Sequence, residues 1–221
     1  MSRVLIFANG ELPDPDSVGT LMQDDDFILS VDGGTRHVLS LGRIPDLVVG
    51  DLDSIVPEDR RKLDDLDVDV VVHPREKDQT DLELAIEIAV SRNPAKVLLL
   101  GALGGRLDHT LGNIGLLTDT RLDTIETALE DGRTQVQLCR HHVRVIGQRG
   151  DLVSLIPWKG DVLGVSTENL RWKLEDESLF QNRTRGVSNE MLGETASIRV
   201  RSGLLLVIHV RQEPKEQRRI T

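Results

Sequence analysis

Four short apolar runs in the first half of the chain are each followed by residues able to handle charge. Asp32-Gly33-Gly34 follows Phe27–Val31, and Gly50-Asp51-Leu52-Asp53-Ser54 follows Leu47–Val49. Val68–Val72 leads into His73-Pro74 and then Lys77-Asp78-Gln79-Thr80-Asp81; Val97–Leu100 leads into Gly101 and Gly104-Gly105-Arg106-Leu107-Asp108-His109. Such a set points to metal-assisted handling of phosphate. Hard divalent cations such as Mg²⁺ take oxygen ligands and combine a few carboxylates with substrate phosphates. Asp51 and Asp53 share a face of an extended chain, and Asp81 stands at a helix start. Gly104 and Gly105 let a ligand approach the backbone closely, and the helix start after them can receive phosphate oxygens. Arg106 is a permanent cation. Each residue also has a plainer use. Aspartate is common in turns, an acid in a first helical turn complements the dipole, and a glycine pair makes a tight turn. His109 either binds phosphate, orients Asp108, caps the helix or packs in the core. No G-x-x-x-x-G-K-[ST] is present, so this is not a Walker-type loop, and the lack of a G-x-G-x-x-G after a strand weakens a dinucleotide reading.

Positioning these residues requires alternating strands and helices. Val4–Ala8, Phe27–Val31, Leu47–Val49, Val68–Val72 and Val97–Leu100 read as strands, several without polar alternation, as for strands buried on both faces. Thr80 and Glu83 form a Thr-x-x-Glu capping box. Leu82, Ala85, Ile86, Ala89 and Val90 then follow one helical face, with Pro94 beyond its end. A second helix is expected from about Leu107 to Leu117, with Leu107, Leu111 and Ile114 on one side. This alternation predicts an α/β fold with a doubly wound, mostly parallel sheet, whose ligands bind at the carboxyl ends of the strands. After about residue 124 the texture becomes β-like: Val136–Leu138, Val143–Ile146, Leu152–Ile156, Ser197–Val200 and Leu204–Val210, separated by turn signals. The expected division is 1–135 for the α/β domain, 136–212 for a smaller β-sandwich and 213–221 for a frayed tail.

Composition narrows the function classes. The 221 residues carry 37 acidic and 27 basic side chains, a formal net charge of −10, which gives no general attraction to nucleic acid or anionic lipid. Three Phe, two Trp and no Tyr leave few platforms for stacking single-stranded nucleic acid. The single cysteine, Cys139, excludes an internal disulfide framework and a multi-cysteine zinc site; it reads as a small buried apolar residue. His141-His142 reads as surface. No stretch approaches the ~20 apolar residues of a membrane span, and Val4–Ala8 is too short for a signal-peptide core. A cytoplasmic protein with neither nucleic acid nor membrane as partner is expected.

At these motifs the sequence resembles the thiamine pyrophosphokinase family. The resemblance rests on Asp32-Gly33-Gly34, Pro45 through Ile55, Lys77 through Ala85, Gly104 through His109, Gly186-Val187-Ser188-Asn189-Glu190 and Ser202 through Ile208, in that order over about residues 28 to 210. It implies Mg²⁺-dependent transfer of the pyrophosphoryl group of ATP to the hydroxyl of thiamine, with AMP leaving. It also implies an α/β catalytic domain, a β-sandwich that binds thiamine, and a homodimer with composite sites. Carried over, Asp51, Asp53 and Asp81 look like the metal and phosphate carboxylates, with Arg106 and Lys77 as polyphosphate contacts. Asp32, Gly33, Gly34, Thr80, Gly104, Gly105, Asp108 and His109 complete the nucleotide side. Ser188 and Asn189 look like part of the thiamine pocket, as does Trp172 in Asn169-Leu170-Arg171-Trp172. Three elements depart from the family pattern: Thr35-Arg36-His37 replaces the more usual Ala-Asn-Arg, Leu52 replaces Phe, and Asn169 replaces Gly. The alternatives are pyrophosphoryl transfer to another small alcohol, such as a hydroxymethylpterin, and a non-catalytic sensor of thiamine or nucleotide. The joint presence of Asp51, Asp53, Asp81 and Arg106 argues against the sensor.

Overall fold

In the computed structural model, residues 2–72 and 78–212 are described. His73, Pro74, Lys77 and the expected tail from Glu213 onward lie outside them. The chain divides into two compact units between Gly132 and Arg133.

The first unit is built on β1 (Arg3–Phe7), β2 (Phe27–Val31), β3 (Leu47–Gly50), β4 (Asp69–Val72), β5 (Lys96–Leu100) and β6 (Glu126–Glu130). All pair in parallel, in the order β4-β3-β2-β1-β5-β6. The order reverses at β1: the chain winds outward to β4, then crosses back to place β5 on the other side of β1. At such a reversal the connections leave in opposite directions and open a crevice at the carboxyl ends of the two strands. Helices α1 (Pro15–Leu21), α2 (Thr35–Ser40), α3 (Pro57–Asp65), α4 (Asp81–Ser91) and α5 (Leu107–Leu116) make the crossovers. Both faces of the central strands are buried. Leu5, Phe7, Ile28, Leu98 and Leu100 pack with Val18 of α1 and Val38 of α2, while α4 buries Leu82, Ala85, Ile86 and Ala89. Thr80 caps α4 by accepting from the Glu83 N–H at 3.2 Å.

Two sequence expectations change, and one strand had no sequence expectation. β4 is an edge strand whose Val71 and Val72 are exposed, because nothing among the described residues pairs with its outer side. On α5 only Ile114 is buried; Leu107 and Leu111 are 71% and 48% exposed, and the apolar spacing there does not mark a covered face. β6 was not legible as a strand, since Glu126 and Thr127 interrupt its apolar run, yet it extends the parallel sheet.

The second unit contains β7 (Thr134–Cys139), β8 (His142–Ile146), β9 (Leu152–Glu168), β10 (Glu177–Leu179), β11 (Asn189–Glu190), β12 (Thr195–Arg199) and β13 (Ser202–Val210). β9 runs 17 residues and serves two layers. Its first half pairs antiparallel with β13, which pairs with β7; its second half pairs with β12, which pairs with β8. Lys159 at φ +60° and Gly160 at φ +138° mark the break between the halves. Cys139, Val145, Val153, Leu155, Val165, Ile198, Leu205 and Val207 form the core between them. Cys139 is fully buried and its thiol is pushed up to about 11 by burial, so it packs as an unreactive apolar residue. His141 and His142 are exposed. Among the described residues no helix is long and apolar enough to cross a membrane.

Candidate functional site

A cavity of about 550 Å³ opens at the strand-order reversal of the first unit. Ala8, Asn9, Gly10 and Glu11 line it from the end of β1, Val31, Asp32 and Arg36 from the end of β2, and Thr80, Asp81 and Leu82 from the start of α4. Gly101 to Arg106, His109 and Asn113 close it from β5 and α5. Seven of the sequence-predicted residues therefore meet at one opening: Asp32, Thr80, Asp81, Gly104, Gly105, Arg106 and His109.

Asp32 begins a 3₁₀ turn, Asp32–Gly34, at the end of β2. A Cβ on Gly34 would run into the Phe7 carbonyl, so only glycine lets the turn lie against β1. Gly50, at φ +144°, faces the Asp32 carboxylate in the same way. Asp32 and Leu52 both adopt left-handed backbone, at φ +45° and +65°, and the Leu52 N–H donates to Asp32 Oδ1 at 3.1 Å. Gly33 donates to Ser54 Oγ at 3.2 Å, and Asp53 donates its N–H to Asp51 Oδ1 at 3.1 Å. The loop carrying Asp51 and Asp53 is thus tied to the Asp32 turn, although neither acid lines the cavity itself. Burial pushes the Asp32 carboxyl up to about 6. The Leu52 N–H opposes this, and the charges of Asp81, Asp51 and Asp53 add to it. Asp32 therefore senses three neighbouring carboxylates. Among the described residues no three acid, His or Cys side chains close into a preformed metal site.

On the opposite wall, Gly104 and Gly105 have φ +78° and +64°. Their amide N–H groups, and that of Arg106, donate to nothing among the described residues. The loop carbonyls are held from α5 instead: Thr110 Oγ1 donates to Gly104 O at 3.1 Å and Asn113 Nδ2 to Ala102 O at 2.8 Å. Arg106 forks onto Asp108, Nε to Oδ1 at 3.2 Å and Nη2 to Oδ2 at 2.6 Å, and this holds the Asp108 carboxyl down to about 2. Asp108 does not line the cavity itself and holds Arg106 at its rim. Sequence reading missed Asn9, Gly10, Glu11, Arg36 and Asn113. Asn-Gly after β1 reads as an ordinary turn, and only the strand order shows that this turn faces the crevice.

The second unit carries its own cavity, about 630 Å³, lined by Trp172 to Leu174 and Arg185 to Asn189. Trp172 is 57% exposed, so it is not a core residue. The buried Asn189 amide holds it in place. Oδ1 accepts from the N–H groups of Trp172 (3.0 Å) and Glu190 (2.9 Å), and Nδ2 donates to Trp172 O (2.7 Å). Asn189 is thereby committed to the Trp172 backbone. Ser188, at φ +58°, is fixed by its N–H to Ser154 Oγ at 3.0 Å and leaves its hydroxyl at the cavity.

A parallel α/β domain with amides, carboxylates and guanidinium groups around its crevice, followed by a β domain with an aromatic-walled pocket, defines a two-domain protein built around a phosphorylated ligand. Residues 18–129 match the profile described as thiamin pyrophosphokinase, catalytic domain, and residues 140–205 match thiamin pyrophosphokinase, vitamin B1 binding domain. The thiamine pyrophosphokinase of Bacillus subtilis (strain 168) is 31% identical over 182 residues, which cover 81% of this chain and 85% of that protein. Thiamine pyrophosphokinase 1 of Oryza sativa subsp. japonica is 31% identical over 179 residues, 76% of this chain and 67% of that protein. The crystal structure of the Bacillus subtilis enzyme superposes with a TM-score of 0.86 at 25% identity, over 96% of this chain and 100% of that one. That of Geobacillus thermodenitrificans gives 0.82 at 26% identity, over 96% and 99%. The chain belongs to the thiamine pyrophosphokinase family.

Proposed function

We propose that the crevice of the first unit binds ATP and that Asp51, Asp53 and Asp81 serve its polyphosphate through Mg²⁺, in the family's transfer of pyrophosphate from ATP to thiamine. The observation that carries this reading is the convergence of carboxylates, unengaged loop amides and Arg106 at the strand-order reversal. The oxygen donor set fits a hard cation. Mg²⁺ keeps several waters and takes one or two carboxylates plus phosphate oxygens, so a closed protein cage is not required. When bound, the ion supplies charge neutralisation to the phosphate oxygens.

The chain's own residues bind and orient. The amides of Gly104, Gly105 and Arg106 receive non-bridging phosphate oxygens, and the Arg106 guanidinium, held by Asp108 through Nε and Nη2, offers its remaining N–H donors to them. Gly33 and Gly34 shape the turn that presents Asp32, and Thr80 fixes the helix start that presents Asp81. His109 offers an imidazole at the same wall. The thiamine hydroxyl oxygen attacks the β-phosphorus and gives up its proton, which leaves to solvent, and the bond from that phosphorus to the α-bridging oxygen breaks with its electron pair going to that oxygen to release AMP. In-line positioning does much of the remaining work. Lys77 is a further polyphosphate contact by family resemblance.

Thiamine binds in the second unit's cavity. The exposed Trp172 face suits a cationic heteroaromatic ring, Asn189 holds that face, and the Ser188 hydroxyl orients the ligand. The active assembly is a homodimer in which the first unit of one chain and the second unit of its partner complete each site. A reducing compartment, the cytoplasm, suits a chain with one buried cysteine. The test is AMP release from ATP and Mg²⁺ across a panel of acceptor alcohols. Release with thiamine and not with a hydroxymethylpterin is the expected result. Absence of AMP with thiamine would sink the reading, and binding without turnover would favour the sensor.

A further inference from the structure

We propose that Arg36 is a second polyphosphate-binding cation of the crevice, facing the ligand from the side opposite Arg106. This rests on the assignment of the first unit's cavity to a nucleotide. Two guanidinium groups line that cavity, Arg36 from the β2–α2 side and Arg106 from the β5–α5 side. They differ in how they are engaged. Arg106 is neutralised by a carboxylate through two hydrogen bonds, one of 2.6 Å, with Asp108. Arg36 has no acidic partner among the described residues. Its Nη2 reaches the carbonyls of Asn9 and Gly10 at 3.3 Å each, and Nε and Nη1 have no acceptor among the described residues. An exposed, unneutralised guanidinium at the edge of a cavity is a ready donor to an anion, and its planar fork suits phosphate oxygens.

The surroundings hold Arg36 in that role. It is the second residue of α2, which continues directly from the 3₁₀ turn bearing Asp32. Thr35 is anchored by a 2.9 Å hydrogen bond between its hydroxyl and that of Ser30, both fully buried. His37 bonds Gly10 O through Nε2 at 2.9 Å. Burial pushes the His37 imidazole below its ordinary value, the Gly10 bond opposes this, and the Arg36 charge adds to it. The two neighbours therefore brace the start of α2 against the β1 turn, and Arg36 brings the net positive charge. Asp32 and Asp81 also line the cavity. A polyphosphate lying among these acids gains from a cation at each end of the crevice, with Arg106 fixing one end and Arg36 the other.

The experiment compares Arg36→Gln and Arg36→Lys with the parental protein. Direct binding is measured by calorimetry for a non-hydrolysable ATP analogue and by displacement for adenosine, with Tm recorded for each variant. Arg36→Gln is expected to weaken the triphosphate analogue about tenfold, leave adenosine within about twofold and flatten the salt dependence of analogue binding. Arg36→Lys is expected to recover part of the loss. Equal weakening of both ligands would overturn the proposal, because Arg36 would then only brace the Asn9 and Gly10 carbonyls. Unchanged analogue binding would overturn it as well. A parental protein that binds neither ligand would instead overturn the nucleotide assignment on which the proposal rests.

Discussion

The two cavities differ in where their polar groups are committed. In the first unit, loop carbonyls are tied down from behind by Thr110 and Asn113, and the amides of Gly104, Gly105 and Arg106 donate to nothing among the described residues. Acids from three loops crowd close enough for burial and mutual repulsion to lift Asp32 to about 6. In the second unit the side-chain amide of Asn189 is committed to the Trp172 backbone, and the cavity is faced by an aromatic surface and the Ser188 hydroxyl beside Lys173 and Arg185, each of which is paired with a glutamate. The first arrangement is costly to hold and suits charge that develops during reaction. The second is rigid and suits recognition of an acceptor that changes little.

This contrast predicts a ranking of substitutions. Asp51→Asn, Asp53→Asn and Asp81→Asn should each lower turnover by roughly 10³ or more and raise the Mg²⁺ concentration needed, while far-ultraviolet circular dichroism is unchanged. Near-parental rates with normal Mg²⁺ dependence in all three would remove the metal assignment. Arg106→Lys comes next, at roughly 10²–10³ in turnover, because a point charge replaces a planar fork. An unchanged rate there would reduce Arg106 to a partner of Asp108.

Substitution in the second cavity should act on binding of the acceptor. Trp172→Ala is expected to raise the KM for thiamine by about tenfold with kcat and the KM for ATP little changed, and Trp172→Phe to recover part of it. The site's assembly can be tested with the same variants. Asp51→Asn chains mixed with Trp172→Ala chains at limiting thiamine should regain activity, since one heterodimer in this arrangement contains one site with both parental halves. No recovery with heterodimers present would mean that each chain builds its own site.

Much of this was legible in the sequence, for identifiable reasons. Strands buried on both faces show as unbroken apolar runs, and residues following them fall at the carboxyl edge by construction. Thr80 announced the start of α4 because a capping side chain is a local signal. What stayed hidden was non-local. Strand order decides which turns face the crevice, so Asn9, Gly10 and Glu11 could not be assigned from an Asn-Gly dipeptide. Leu107 and Leu111 kept a helical spacing that the fold does not bury. Asn189 read as a ligand group, since its type is right for one, and only three hydrogen bonds show its commitment to Trp172.

The smallest expected effect concerns the cost of the crowded acids. In the metal-free protein Asp32 has a folded pKa of about 6 against 3.8 for the free group. The folded state therefore binds more protons than the unfolded state between those values, and stability falls as pH rises through that window. Above about pH 6 the full cost of an ionised, partly buried carboxylate is present; below about pH 4 it is gone. Asp32→Asn keeps the shape and much of the hydrogen bonding and removes the charge. With a chelator present it should raise Tm at pH 7.5 by about 2–4 °C, the shift that roughly 1 kcal/mol produces in a chain of this size, and have little effect at pH 4. With the proposed nucleotide assignment, the same substitution should also lower turnover, because it removes a carboxylate that lines the crevice. A variant equally stabilised at both pH values would show that its effect comes from packing, and the contrast between a charged catalytic cavity and a rigid binding one would lose its thermodynamic basis.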